Sequence, residues 1–182
     1  IPIYIGGVGP NIQSLAGEIA DGLLPLLLPP ETYFNAKENV SRGVKLSQKR
    51  LSDFDLVGSI WVSASSDVEQ AKEALGEKIA YFGNAMPQEI LDRIAVNRKE
   101  FEPISEALIS KQDKKLALSM VTENMLKVGI AGDKSEIIKR LNPLVESGVD
   151  HVSFGPPLGP DPEKSLDILA KVKDYFSKNL TT

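Results

Sequence analysis

Along the chain, short apolar runs with strand character alternate with segments whose apolar residues recur every three to four positions. Ile1–Ile5 is an apolar run that stops in Gly6-Gly7-Val8-Gly9 and predicts a first strand. In PNIQSLAGEIA, Ile12, Leu15, Ala16 and Ile19 recur at helical spacing, with Pro10 suited to the first turn and Asp21-Gly22 as the stop. LLPLLL reads as a short buried strand in which Pro25 forces a bulge or an end. After Pro29-Pro30, residues 31–50 predict a helix with Tyr33, Phe34, Val40 and Val44 inward. DFDLVGSIWVSAS is the clearest strand, running to Ser63. Ser66-x-x-Glu69 has the form of a capping box and opens a helix to Phe82. Helical segments follow from Gln88 to about Glu123, with a break near Pro103. LKVGIAG is a short apolar piece, and Asp133-x-x-Glu136 opens a helix kinked at Pro143 and stopped at Gly148. VDHVSFG is the last strand. After the loop PPLGP, Asp161 caps and Pro162 starts the final helix.

This βα alternation argues for parallel strands joined by right-handed crossovers. The pattern holds four βα units, half of an eight-unit barrel. Four parallel strands alone leave two open edges and an uncovered inner face. The mid-strand start without methionine adds to the expectation that residues 1–182 are the C-terminal portion of one larger barrel domain. The open sheet also predicts a homo-oligomer or association with an N-terminal half-barrel.

Composition narrows the chemistry. The 182 residues are 42% hydrophobic and 25% charged, with net charge -4, so no basic patch invites nucleic acid. No apolar stretch reaches the length of a membrane span. The absence of cysteine excludes thiolate metal sites and disulfides and fits a cytoplasmic location, and one histidine excludes histidine cages.

Gly6, Gly7 and Gly9 fall where parallel α/β folds bind ligands, between a strand's C-terminal end and a helix start. Backbone N–H groups and the helix dipole make such a turn a candidate phosphate cradle. The spacing is not G-x-G-x-x-G, and on spacing alone a tight turn needing positive φ is favoured over a cradle. IPIYIGGVGP…LAGEIADGLL, VGIAGDKSEIIKRL and GVDHVSFGPPLGPDPEKSLDILAKV, in that order and spacing, resemble the bacterial-luciferase-like family. Within it they are most similar to the archaeal coenzyme F-420-dependent methylenetetrahydromethanopterin reductases. The resemblance implies the C-terminal half of a (β/α)8 TIM-type barrel with an extra helical insertion at 86–123. It also implies hydride transfer from reduced coenzyme F-420 to a methylene-tetrahydropterin. Carried over by position, the cofactor contacts fall on Gly6, Gly7 and Val8, with Gly22 and Leu23 beside the cofactor. The family's catalytic acid has no counterpart here. An FMN-dependent luciferase-like monooxygenase and a non-catalytic half-barrel are the alternatives.

The remaining residues read as structure. His151 opens the last strand, at the end away from the chemistry. Trp61 is core, Asp53 and Asp55 are solvated turn residues, and Glu69, Glu73 and Glu77 with Lys72 form a solvated helix face. The loop GPPLGPDPEK is either a rigid wall beside the cofactor or a plain turn into a capped helix.

Overall fold

The computed structural model describes residues 1–179. In chain order the elements are β1 (Tyr4–Ile5), α1 (Pro10–Ile19), β2 (Gly22–Leu23), α2 (Tyr33–Val44), β3 (Asp55–Leu56), β4 (Gly58–Ala64), α3 (Val68–Phe82) and α4 (Gln88–Arg93). They continue with α5 (Phe101–Ser105), α6 (Lys114–Ser119), α7 (Glu123–Leu126), β5 (Ile130–Gly132), α8 (Lys134–Glu146), β6 (Val152–Leu158) and α9 (Pro162–Asn179). By contact the described residues divide into two units, Ile1–Ile60 with Leu141–Gly155, and Trp61–Arg140 with residues 156–179.

In the first unit β1, β2 and β3 lie side by side and parallel, with Gly22 between Tyr4 and Asp55. The expected strand Ile1–Ile5 shrinks to two residues. The partner β2 is itself only Gly22–Leu23, and before it Ile3 N–H donates to the Asp21 side chain while its carbonyl accepts from the Asp21 N–H, so the ladder does not extend toward exposed Ile1 and Ile3 of this edge strand. The LLPLLL strand likewise ends at Leu23, before Pro25, and leaves Leu24 46% and Leu26 81% exposed. The single strand expected through Val57 splits in two. Val57 N–H still bonds to Leu23, on the β2 side, whereas Gly58 N–H bonds to the His151 carbonyl, so the chain changes partner there.

Helix α1 buries Gln13, Ala16 and Gly17 rather than its larger apolar residues, and Leu15 and Ile19 are exposed. The cause is close approach to α2. A Cβ on Gly17 would lie 2.2 Å from the Val40 carbonyl oxygen, and one on Gly43 would lie 1.7 Å from that of Ser14. Small residues therefore make this seam, and Phe34, expected inward, is exposed beside buried Tyr33, Ala36 and Val40.

In the second unit β5 pairs parallel with the end of β4, Val62 opposite Ile130 and Ala64 opposite Gly132. Helix α3 lays Ala71, Leu75 and Ile79 into the core. Its N-cap is Asp67, which accepts from the N–H groups of Glu69 and Gln70, not Ser66. The region 86–123 forms short helices around buried Leu91, Ile94, Phe101 and Ile104. Pro103 sits inside the first turn of α5, where its missing N–H is no loss, and the helical path, after a π-helical turn at Glu106–Ser110, breaks before Asp113 instead. Asp133 caps α8 through the N–H groups of Ser135 and Glu136. Strand β6 continues to Leu158, further than expected. Ser165, fully buried in the first turns of α9, donates to the Ala64 carbonyl at 2.7 Å and anchors that helix to β4.

Candidate functional site

Within the first unit, the turn from β1 to α1 forms one wall of an open cavity of about 490 Å³. Gly6, Gly7 and Val8 line that wall. Leu24, Pro25 and Leu26, continuing past β2, give a second, apolar wall, and Ser59, Ile60, Ser153 and Gly155 complete the surface. The C-terminal ends of β1 and β2 open onto it, as expected for a ligand site of a parallel α/β fold.

The glycines have different reasons to be glycine. Gly7 has φ +155°, and a Cβ there would lie 2.4 Å from Ile12 Cγ2, so the turn itself requires it. A Cβ on Gly6 would meet only the Leu24 carbonyl oxygen, at an ordinary 3.5 Å, and one on Gly9 would meet nothing within 4 Å. Packing therefore does not account for Gly6 or Gly9. Helix α1 begins at Gly9 with no side-chain cap and no acidic residue in its first turn. Among the described residues, no N–H of Gly6, Gly7, Val8 or Gly9 donates to a protein acceptor. Such a row of free donors at the positive end of a helix dipole suits an anion.

Gly22 and Leu23 stand one step away. Gly22 is buried against Tyr4, where a Cβ would lie 2.3 Å from Cε1 of the ring, and Leu23 is fully buried. Neither lines the cavity, whereas their successor Leu24 does.

Sequence reasoning missed Gln13, a polar residue only 3% exposed. Its Nε2 donates to the Val8 carbonyl at 3.0 Å. Its Oε1 accepts from Asn39 Nδ2 at 2.7 Å, and Asn39 Oδ1 accepts from Arg42 at 2.7 Å. Of the apolar residues that recur on α1, Leu15 and Ile19 are exposed and only Ala16 is buried beside Gln13.

A second polar group gathers where β1 and β3 begin. Asp55 Oδ2 accepts from the Tyr4 hydroxyl at 2.7 Å and lies 3.1 Å from His151 Nδ1. Asp55 is therefore a bridging residue, not the free turn residue expected, whereas Asp53 pairs with Arg50 at 2.8 Å. The hydrogen bond to Asp55 raises the Tyr4 phenol above its ordinary pKa. Burial, with Asp150 and Asp55 nearby, pushes Tyr33 up to about 12. These groups, His151 included, sit at the strand starts, away from the cavity. Trp61 is core, as expected, with the Lys78 ammonium 4.3 Å from the ring centroid. On α3, Lys72 bridges Glu69 and Glu123, and Glu77 pairs with Lys114, so the charged face is tied to neighbouring helices. Among the described residues no helix is long and apolar enough to cross a membrane, and no three acidic, His or Cys side chains group to hold a metal.

The family model for luciferase-like monooxygenases matches residues 1–151. A 5,10-methylenetetrahydromethanopterin reductase of Methanopyrus kandleri is 32% identical over 172 residues, which cover 94% of this chain and 49% of the relative. That of Archaeoglobus fulgidus is 33% identical over 175 residues, covering 94% and 53%. The structure of the coenzyme F420-dependent tetrahydromethanopterin reductase from Methanopyrus kandleri superposes with a TM-score of 0.84 at 32% identity, over 93% of this chain and 49% of that one. An F420-dependent secondary alcohol dehydrogenase shares the fold, with a TM-score of 0.62 at 23% identity over 94% and 48%. The chain spans about half the length of the curated relatives it matches. It belongs to the luciferase-like monooxygenase family.

Proposed function

We propose that this luciferase-like chain forms the cofactor-binding part of an oxidoreductase that moves a hydride from reduced coenzyme F-420 to a methylene-tetrahydropterin. The observation that carries the reading is the row of unpaired N–H groups at Gly6–Gly9, at an uncapped helix start beside an apolar-walled cavity. A ligand with an anionic tail and a flat ring suits both features. The backbone of Gly6, Gly7 and Val8 would hold the phosphate, and the exposed Leu24 and Leu26 would offer apolar surface to the ring, with Gly22 and Leu23 fixing the position of Leu24. When bound, the deazaflavin supplies the hydride chemistry, and the chain supplies binding and orientation. The loop alone would accept FMN as well. The F-420 reading is favoured by the 32%-identical relative whose structure is that of an F420-dependent reductase.

The same reading makes residues 1–182 the C-terminal half of a (β/α)8 barrel, with 86–123 as a helical insertion. It is supported by the parallel pairing, by the edge strand β1 with exposed Ile1 and Ile3, and by the half-length match to the relatives. A barrel mouth needs both walls to set donor and acceptor carbons in line. The chain alone is therefore expected to bind F-420 more tightly than FMN but to give no methylene-pterin reduction. Adding the N-terminal half of a reductase relative should restore turnover. Preference for FMN would overturn the cofactor assignment, and turnover by the chain alone would overturn the half-barrel.

A further inference from the structure

We propose that Gln13 is a positioning residue of the anion cradle, braced by Asn39 and, through it, by Arg42. The inference rests on the reading of residues 6–9 as the cofactor's anion site. Gln13 occupies a buried place on the α1 face that packs against α2 through Gly17 and Gly43. An apolar side chain of similar length would fill that place without the cost of burying a carboxamide. The carboxamide instead meets a specific demand at each end. Its Nε2 holds the Val8 carbonyl at 3.0 Å, and its Oε1 is held by Asn39 at 2.7 Å. Arg42, on the exposed side of α2, fixes the Asn39 amide from outside.

The consequence follows from peptide planarity. In a trans peptide the carbonyl and the next N–H point in opposite directions. Tying the Val8 carbonyl back toward Gln13 therefore aims the Gly9 N–H away from that side chain. Gly9 has no side chain and no neighbour within 4 Å of its Cβ position to hold that plane, and its own carbonyl, in the next peptide, accepts from the Gln13 N–H at 3.1 Å. The chain Arg42–Asn39–Gln13–Val8 thus links the outer helix to the last peptide of the 6–9 turn, next to the cradle, without itself touching the ligand.

The test uses the whole chain, with coenzyme F-420 as the titrated probe and amide NMR of the ligand-free protein as an independent readout. In Gln13→Glu a carboxylate faces the Val8 carbonyl, and the donor is lost. F-420 affinity relative to wild type should fall about tenfold at neutral pH. The gap should close on acidification, because a protonated carboxyl regains an O–H donor, a recovery that lost packing would not give. Asn39→Asp, at a half-exposed site, should cost about threefold. In both variants the Gly9 amide resonance should shift while the Ala16 and Ala20 amide resonances stay in place. If wild type binds F-420 and both variants bind it equally well, the positioning role is overturned. If wild type does not bind F-420, the cofactor reading fails, and the Gly9 amide resonance alone decides. A shifted Gly9 resonance in the variants supports the brace, and an unmoved one overturns it.

Discussion

Helix α1 begins unlike helices α3, α8 and α9. Those three open on Asp67, Asp133 and Asp161, whose carboxylates accept from first-turn N–H groups. Helix α1 opens on Gly9, with no cap and no acid in its first turn. An aspartate cap is worth about 1 kcal/mol, so a helix start left bare forgoes stability. Three helices satisfy their donors internally, and α1, beside the cavity, has no such cap; α2 lacks one too, but follows a short helical turn at Pro30–Thr32. On the proposed reading, the bare start of α1 is the one that meets a ligand.

The contrast is broken most severely at Gly7. Gly7→Val places a branched side chain on Ile12 at a φ that valine avoids, and should cost about 3 kcal/mol in chemical denaturation. It should also abolish F-420 binding, whereas His151→Ala leaves that binding within about twofold, since His151 lies at the strand starts. Equal losses in the two would mean that the glycine turn does nothing for the ligand. At the capped helices, Asp67→Ala and Asp133→Ala should each cost about 1 kcal/mol by the same measurement and leave F-420 affinity unchanged.

A smaller change exchanges the two kinds of start. Gly9 has φ -81° and ψ 152° and open space at its Cβ, a geometry that accepts an aspartate cap. Gly9→Asp should raise stability by a few tenths of a kcal/mol while weakening F-420, because the carboxylate occupies the donors and repels the phosphate. A variant that gains stability and keeps full affinity would show that the open donors are incidental. The smallest effect is in acid. The Lys164 side chain and its N–H hold Asp161 below the ordinary carboxylate range. A depressed folded pKa contributes stability above the unfolded value and loses it as pH falls through the folded one. The Lys164 amide resonance should therefore step at a pH below the ordinary carboxylate range, and the first turn of α1 should show no such step.

Much of this was legible in the sequence where local chemistry decides. Asp161-Pro162 and Asp133-x-x-Glu136 mark helix starts by themselves, and the glycine turn announces itself by spacing. What failed depended on distant partners. Ile1–Ile5 has strand composition, yet only two of its residues have a strand to pair with. Phe34, Leu15 and Ile19 have core composition, yet the α1–α2 seam is built from glycines that let the backbones touch. Asp67 displaced Ser66 as the cap by one position. Gln13 has no local signal, because its purpose is a carbonyl five residues back and an amide on another helix.

The most direct measurement is calorimetric titration of the wild-type chain and Gly9→Asp with coenzyme F-420 and with the same deazaflavin riboside lacking its phosphate. Open donors at Gly6–Gly9 predict that wild type binds F-420 at least about tenfold more tightly than the riboside, and that Gly9→Asp removes most of this difference while leaving the riboside unchanged. Equal affinity for the two ligands in wild type would contradict an anion cradle at the β1–α1 turn.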